Sequence, residues 1–239
     1  MEALNLGTRV VNAWLIPGKS GFVLIDTGYA GGFPRFLRKL KKAGIEPADI
    51  QLVFLTHAHD DHAGFLNEVL SATEARVILH PKAVEGLQRG QNSFEGGCSG
   101  RLAYWFCLLL AALGKGEHRY PPIRPEYLDR LIPVGSEEFR AMELPFQVLE
   151  TPVHTADHIS LLTEGTLFCG DAAMNGFPSR RRTTIWIEDL RLFKQSWQTM
   201  LKVGPKVICP AHGKSFPASD LEKFLPYLDR VKLFPLRPR

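Results

Sequence analysis

The chain reads as an α/β (α+β) protein built from two β-sheets covered by helices, rather than one doubly wound parallel sheet. Three observations carry that reading. Strand-like apolar runs occur in both halves of the 239 residues, with amphipathic helical stretches between them. Four of those runs end in chemistry-bearing residues, the densest being Thr56-His57-Ala58-His59-Asp60-Asp61-His62-Ala63-Gly64. Composition is ordinary for a globular protein, 45% apolar and 23% charged, which suffices for one large domain or two small ones.

Taken in order, residues 10–17 and 21–26 read as strands joined by Gly18-Lys19-Ser20, a hairpin-like start. Residues 33–43 predict a helix with Phe36, Leu37 and Leu40 on one face, basic residues on the other, and Gly44 as its end. Residues 52–56 form an apolar strand leading into the histidines, and 62–70 predict a helix whose first turn carries His62. A strand at 76–79 and a helix opening within 81–87 follow.

Residues 90–135 break the rhythm. Gly96-Gly97-Cys98-Ser99-Gly100 precedes twelve apolar residues at 102–113, and a proline-rich connector without regular structure comes after. Apolar on every side, 102–113 has to be buried: as a core helix, an active-site wall or lid, or an interface. Strands return at 146–151, 159–163 and 166–169. Residues 188–201 predict an amphipathic helix with Leu192, Phe193, Trp197 and Met200 on one face. A strand at 206–209, a helix at 219–228 and a short basic tail complete the chain. The expected organisation is a single domain over 1–239 with an inserted helical and loop cap at about 90–135.

Charge and cysteine usage narrow the function classes. A formal charge of +4 tolerates anionic substrates, but no long basic stripe accompanies it, so nucleic acid is not favoured. Arg180-Arg181-Arg182, the one tight basic cluster, reads as a solvated loop ahead of a phosphate contact. Cys98, Cys107, Cys169 and Cys209 lack C-x-x-C spacing and fit small buried side chains in a reducing compartment. The N-terminus has no signal-peptide pattern, and the longest apolar run falls short of the roughly 20 residues a bilayer span needs. A cytoplasmic protein without a membrane span is expected, acting on a small molecule, with a homodimer left open.

The chemistry is read from donor type and spacing. Imidazole nitrogens and carboxylate oxygens suit zinc, iron or manganese. In an extended segment His57, His59 and Asp61 share a face, and His62 joins them if the chain turns. Three further strand ends supply His154 and His158, Asp171, and His212. Together these offer donors enough for two metal ions.

The nonapeptide resembles the H-x-H-x-D-H signature of the metallo-β-lactamase superfamily, and His154, Asp171 and His212 match the later ligand motifs in order. Asp26-Thr27-Gly28 is similar to that family's early Asp-Thr-Gly element. The resemblance spans roughly residues 10–217. It implies a four-layer αββα sandwich of two mixed sheets flanked by helices, holding a dinuclear site. By the same resemblance His57, His59 and His154 hold one ion, Asp61, His62 and His212 the other, and Asp171 bridges them, with Asp26 and His158 supporting the ligands. Asp60 falls outside the ligand pattern and reads as an exposed or capping carboxylate. Val153 and Ala156-Asp157 depart from the family's Gly and Pro-Gly, and Asp157 reads as a surface turn ahead of a further acceptor. His80 and His118 read as structural or solvated, and Cys169 as buried and apolar.

The activity so implied is metal-dependent hydrolysis of a small ester, thioester, lactone or amide. Two divalent ions, zinc first with iron or manganese as alternatives, acidify a shared water to about neutral pKa. Asp61 both ligates and orients the resulting hydroxide. Tyr104, Trp105 and Phe106 are candidates for a substrate pocket. Alternatives are a phosphodiesterase or ribonuclease of the same superfamily, a di-iron redox protein, and a metal-dependent interaction module without turnover. The substrate is left open.

Overall fold

A computed structural model describes residues 3–91, 95–114, 116 and 118–236. Positions 92–94, 115 and 117 of the anticipated cap, and 237–239 of the basic tail, lie outside the described residues. The chain divides into two compact units, Met1–Asn92 with Arg119–Gln147, and Ser93–His118 with Val148–Arg239.

The first unit is built on a six-stranded mixed sheet in the order Leu4–Asn5, Trp14–Pro17, Phe22–Ile25, Ile50–Phe54, Arg76–Leu79, Leu131–Pro133. The first three strands pair antiparallel and the rest join in parallel. Val53, Phe54, Val77, Ile78 and Leu79 are fully buried, which suits the near-continuous apolar runs of parallel strands covered on both faces. Strand Trp14–Pro17 is shorter than the sequence suggests, because Thr8 N–H turns back onto the Val11 carbonyl at 2.7 Å. Helix Phe33–Lys42 buries Phe36 and Leu40 and ends with Lys39, Lys41 and Lys42, cations that complement its C-terminal dipole.

The single helix expected over 62–70 is instead two short ones, Asp60–Ala63 and Leu66–Ala72. Gly64 lies at the break. A Cβ there would stand 2.4 Å from the Ala30 nitrogen and 2.5 Å from the Gly28 oxygen, so only glycine lets the two backbones pass.

The second unit carries a five-stranded sheet in the order Phe216–Pro217, Val207–Pro210, Thr166–Gly170, Ile159–Thr163, Gln147–Glu150. A two-stranded sheet pairs Gly97–Cys98 with Trp186–Ile187. Helix Leu190–Lys202 is capped by the Asp189 carboxylate, which accepts from the amides of Arg191 and Leu192 at 2.7 and 3.0 Å. It buries Phe193, Ser196, Trp197 and Met200, and Trp197 Nε1 donates to the Ala172 carbonyl at 2.7 Å. The final helix stops at Phe224 and tightens into a 3-10 turn, Leu225–Arg230, because Pro226 has no amide hydrogen to continue it.

Of the three readings of the apolar run, the core helix is the one the structure contradicts. The run forms helix Arg101–Ala112, but only Ala103 is buried, while Trp105 is 67%, Leu109 57% and Leu113 64% exposed. A helix satisfies its own backbone hydrogen bonds, so an apolar one can form on a surface. Its inner edge packs Ala103, Tyr104 and Cys107 with Cys98 and Trp186.

The two tryptophans therefore differ in weight. Trp197→Ala is expected to lower the unfolding free energy by about 3–5 kcal/mol, and Trp105→Ala to stay within about 0.5 kcal/mol. Urea denaturation of both variants checks the contrast; equal losses would place Trp105 in a core.

Candidate metal centre

In the first unit Asp26 ends strand Phe22–Ile25 with φ +58°, a left-handed conformation that aspartate tolerates better than most residues. There its amide donates to the Phe54 carbonyl at 3.0 Å and its buried carboxylate points under the histidine loop. Asp26 Oδ1 accepts from the Thr56 amide at 2.8 Å, and the Thr56 hydroxyl lies 2.9 Å from Oδ2. His62 Nδ1 lies 2.9 Å from the same Oδ2. A carboxylate only accepts, so His62 carries its proton on Nδ1 and turns the Nε2 lone pair outward. The Thr56 hydroxyl gives its hydrogen to Asp26, so its oxygen accepts from His57 Nδ1 at 3.1 Å, which makes Nε2, 3.2 Å from His59 Nδ1, the nitrogen that bears the lone pair.

The separations between donor atoms fit a shared ion. Two nitrogens about 2.0–2.1 Å from one tetrahedral ion lie about 3.3 Å apart. His57 Nε2 and His59 Nδ1 are 3.2 Å apart, and His62 Nε2 and Asp61 Oδ1 are 3.5 Å apart. Thr27 pins the loop by donating its amide and its hydroxyl to the His62 carbonyl, both at 2.7 Å. Tyr120 does so from the proline-rich connector, its hydroxyl donating to the Ala58 carbonyl at 2.9 Å. Asp60 is half-buried in the first turn of Asp60–Ala63, a favourable place for an acid.

In the second unit Asp171 is the hub. Strand Thr166–Gly170 shifts register against Val207–Pro210 between Phe168 and Gly170, a bulge that re-aims the residue after it. Asp171 Oδ2 then lies 3.7 Å from His154 Nε2 and Oδ1 3.4 Å from His212 Nε2. Its two oxygens thus face two different imidazoles. His154 Nδ1 donates to the Trp186 carbonyl at 2.9 Å, which reserves Nε2 as a donor atom. His158 accepts the Asp171 amide on Nε2 at 3.1 Å and donates from Nδ1 to Thr151 Oγ1 at 3.0 Å, so neither nitrogen is left for an ion.

Other sequence readings fare unevenly. Asp157 is buried rather than in a surface turn, because the turn is itself covered: Thr155 and His158 beside it are buried too. Arg180 and Arg181 are exposed, as a solvated loop requires, while Arg182 is half-buried, and two of the three also find partners. Arg182 makes paired bonds to Asp220 Oδ2 at 2.8 and 2.7 Å, and Arg181 stacks 4.2 Å above the Tyr227 ring. His80 accepts the Lys82 amide at 3.1 Å. Burial pushes the Cys169 thiol well above its usual pKa, so it stays protonated and apolar. Tyr104 is half-buried beside Cys98 and Trp186, Trp105 projects into solvent, and Phe106 meets Phe177 edge-on at 5.9 Å. Thr56, Tyr120 and the Trp186 carbonyl are the positioning groups the sequence reading missed. Thr56 could have been flagged by adjacency to His57, whereas the other two carry no local signal.

The family model described as metallo-beta-lactamase superfamily matches residues 6–212. A metallo-beta-lactamase fold-containing protein of Sulfurisphaera tokodaii is 27% identical over 229 residues, covering 91% of this chain and 78% of that protein. A hydroxyacylglutathione hydrolase of Idiomarina loihiensis is 26% identical over 160 residues, covering 66% of this chain and 44% of the hydrolase; the chain thus spans less than half of that relative. Among solved structures, a B3 metallo-beta-lactamase with an active-site glutamic acid superposes with TM-score 0.68 at 19% identity, covering 95% of this chain and 85% of that one. That likeness shows the fold, the expected one of mixed sheets flanked by helices.

Asp26→Ala leaves the Thr56 amide, the Thr56 hydroxyl and His62 Nδ1 without their acceptor. A loss of about 1–3 kcal/mol in unfolding free energy is expected, measured by urea titration, and no loss would show that water replaces the carboxylate.

Proposed function

The chain belongs to the metallo-beta-lactamase superfamily and is a metallo-hydrolase of that fold, and from this premise we propose that it hydrolyses a small ester, thioester, lactone or amide at a two-ion centre. The observation that carries the two-ion reading is Asp171, whose oxygens face His154 and His212 separately, the stance of a carboxylate shared by two ions. In this reading His57, His59 and His154 hold one ion, Asp61, His62 and His212 the other, and Asp171 serves both. Five imidazoles and two carboxylates fit zinc best, with iron and manganese as the alternatives. When bound, such ions supply Lewis acidity and bring the pKa of a water close to neutral.

The chain's own residues supply the rest. Asp26, through Thr56 and directly, fixes the ring orientation and tautomer of His57 and His62, with Nδ1 toward the acceptor and Nε2 turned away from it. The Trp186 carbonyl does the same for His154, and His158 holds the Asp171 backbone. Asp61 orients the attacking water at its carboxylate and hands the proton to the leaving group. Tyr104, Trp105 and Phe106 are proposed to contact the acyl or aromatic part of the substrate. The relative named for hydrolysing hydroxyacylglutathione supports an acyl substrate. A phosphodiesterase reading is weaker, since Arg181 and Arg182 are committed to Tyr227 and Asp220.

We further read the two units as one working domain with 90–135 as its cap, in a cytoplasmic protein. No helix among the described residues is long and apolar enough to cross a membrane. The homodimer remains a proposal to be checked by light scattering.

Metal analysis of the purified chain, followed by a panel of esters, thioesters, lactones and amides, tests the reading. Two metal equivalents are expected, and Asp171→Asn should lose metal and lower kcat/KM by more than the roughly 10–100-fold typical of supporting residues. One equivalent with full activity would overturn the two-ion reading. Selectivity unchanged in Trp105→Ala and Phe106→Ala would remove the helix from the substrate pocket.

A further inference from the structure

Two of the four thiols, neither of them a neighbour in sequence of a proposed ligand, lie together. Cys98 is fully buried in the strand Gly97–Cys98, and half-buried Cys107 packs against it from helix Arg101–Ala112. The two sulfurs share a hydrogen bond. We infer that Cys98 and Cys107 form an oxidisable dithiol, which a peroxide closes to a disulfide.

The roles of the two differ. Cys107, reachable from solvent, has its thiol pKa lowered by the hydrogen bond from Cys98 and by the nearby His118, so it is the sulfur that forms thiolate. Cys98 is the donor in that bond, and with burial added its own pKa is raised, which makes it the resolving thiol. Cys107 thiolate attacks one peroxide oxygen, the O–O bond breaks, and sulfenic acid and hydroxide form. Cys98 sulfur then displaces oxygen from the sulfenic sulfur, and its proton leaves with the departing water. The sum is two thiols and one peroxide to one disulfide and two waters. The sulfurs need only close from hydrogen-bond contact to a bond of about 2 Å.

Cys98 is held on both sides. It exchanges two backbone hydrogen bonds with Phe234, each 2.9 Å, and it lies opposite Trp186 in the two-stranded sheet. A cross-link would tie the exposed apolar helix to the strand neighbouring Trp186, whose carbonyl orients His154. Any effect on hydrolysis rests on the reading of His154 given above, whereas the cross-link does not.

The test therefore reads sulfur chemistry. The metal-loaded full chain is treated with hydrogen peroxide, unfolded and titrated for thiols, then digested with trypsin, which cleaves at Arg101 between the two cysteines. The thiol count is expected to fall from four to two, with the Cys98 and Cys107 peptides joined and separable by dithiothreitol. In Cys98→Ser, checked for folding by circular dichroism, no joined peptide should form and Cys107 should over-oxidise. Four intact thiols, sulfinic acid at Cys107 beside a free Cys98 in the unaltered chain, or loss at Cys169 and Cys209 instead would each overturn the assignment.

Discussion

The Asp26 carboxylate is the constraint on which the histidine loop depends. It accepts from the Thr56 amide and binds His62 directly, and through the Thr56 hydroxyl it reaches His57. Three buried polar groups thus share one acceptor, and buried donors without partners are costly. The arrangement sets two tautomers at once. It needs a left-handed backbone at Asp26 and a close backbone pass at Gly64, so the surrounding fold has to hold both. Packing around Val53, Leu55 and Phe65 supplies that rigidity.

The second unit solves a similar problem with different parts. Asp171 is aimed by a bulge at the end of a buried strand and is held at its backbone by His158. His154 is oriented by a main-chain carbonyl rather than by a carboxylate. In both units a fixed acceptor takes the N–H of one ring nitrogen, which sets the tautomer and turns the opposite nitrogen toward the candidate site. The supporting groups are thus as much a part of the centre as the donors themselves.

The surface helix Arg101–Ala112 shows how pattern and burial part company. Its composition argues for a core, yet its backbone is self-sufficient and only one edge finds a partner. That edge is where Cys98 meets Cys107. Arg182 makes the converse case: a charge that reads as solvated is pinned against Asp220 and the Phe216 ring. In each case the residue type states a preference, and the tertiary neighbours decide whether it is met.

The sequence by itself determined the candidate donors and most of the elements. The strands at 76–79 and 159–163 and the helix beginning at Phe33 follow from periodicity and caps, and His57, His59, Asp61 and His62 from their crowding after an apolar strand. These are local properties, written in spacing. Only the tertiary structure decided that Thr56 relays Asp26 to His57, that Tyr120 anchors Ala58, that Trp186 holds His154 and that Asp157 is buried. Such pairings join residues up to 62 positions apart, or use a carbonyl that every residue possesses. No local pattern can encode them, because they exist only once the strands have set their registers and brought distant backbone into hydrogen-bond range.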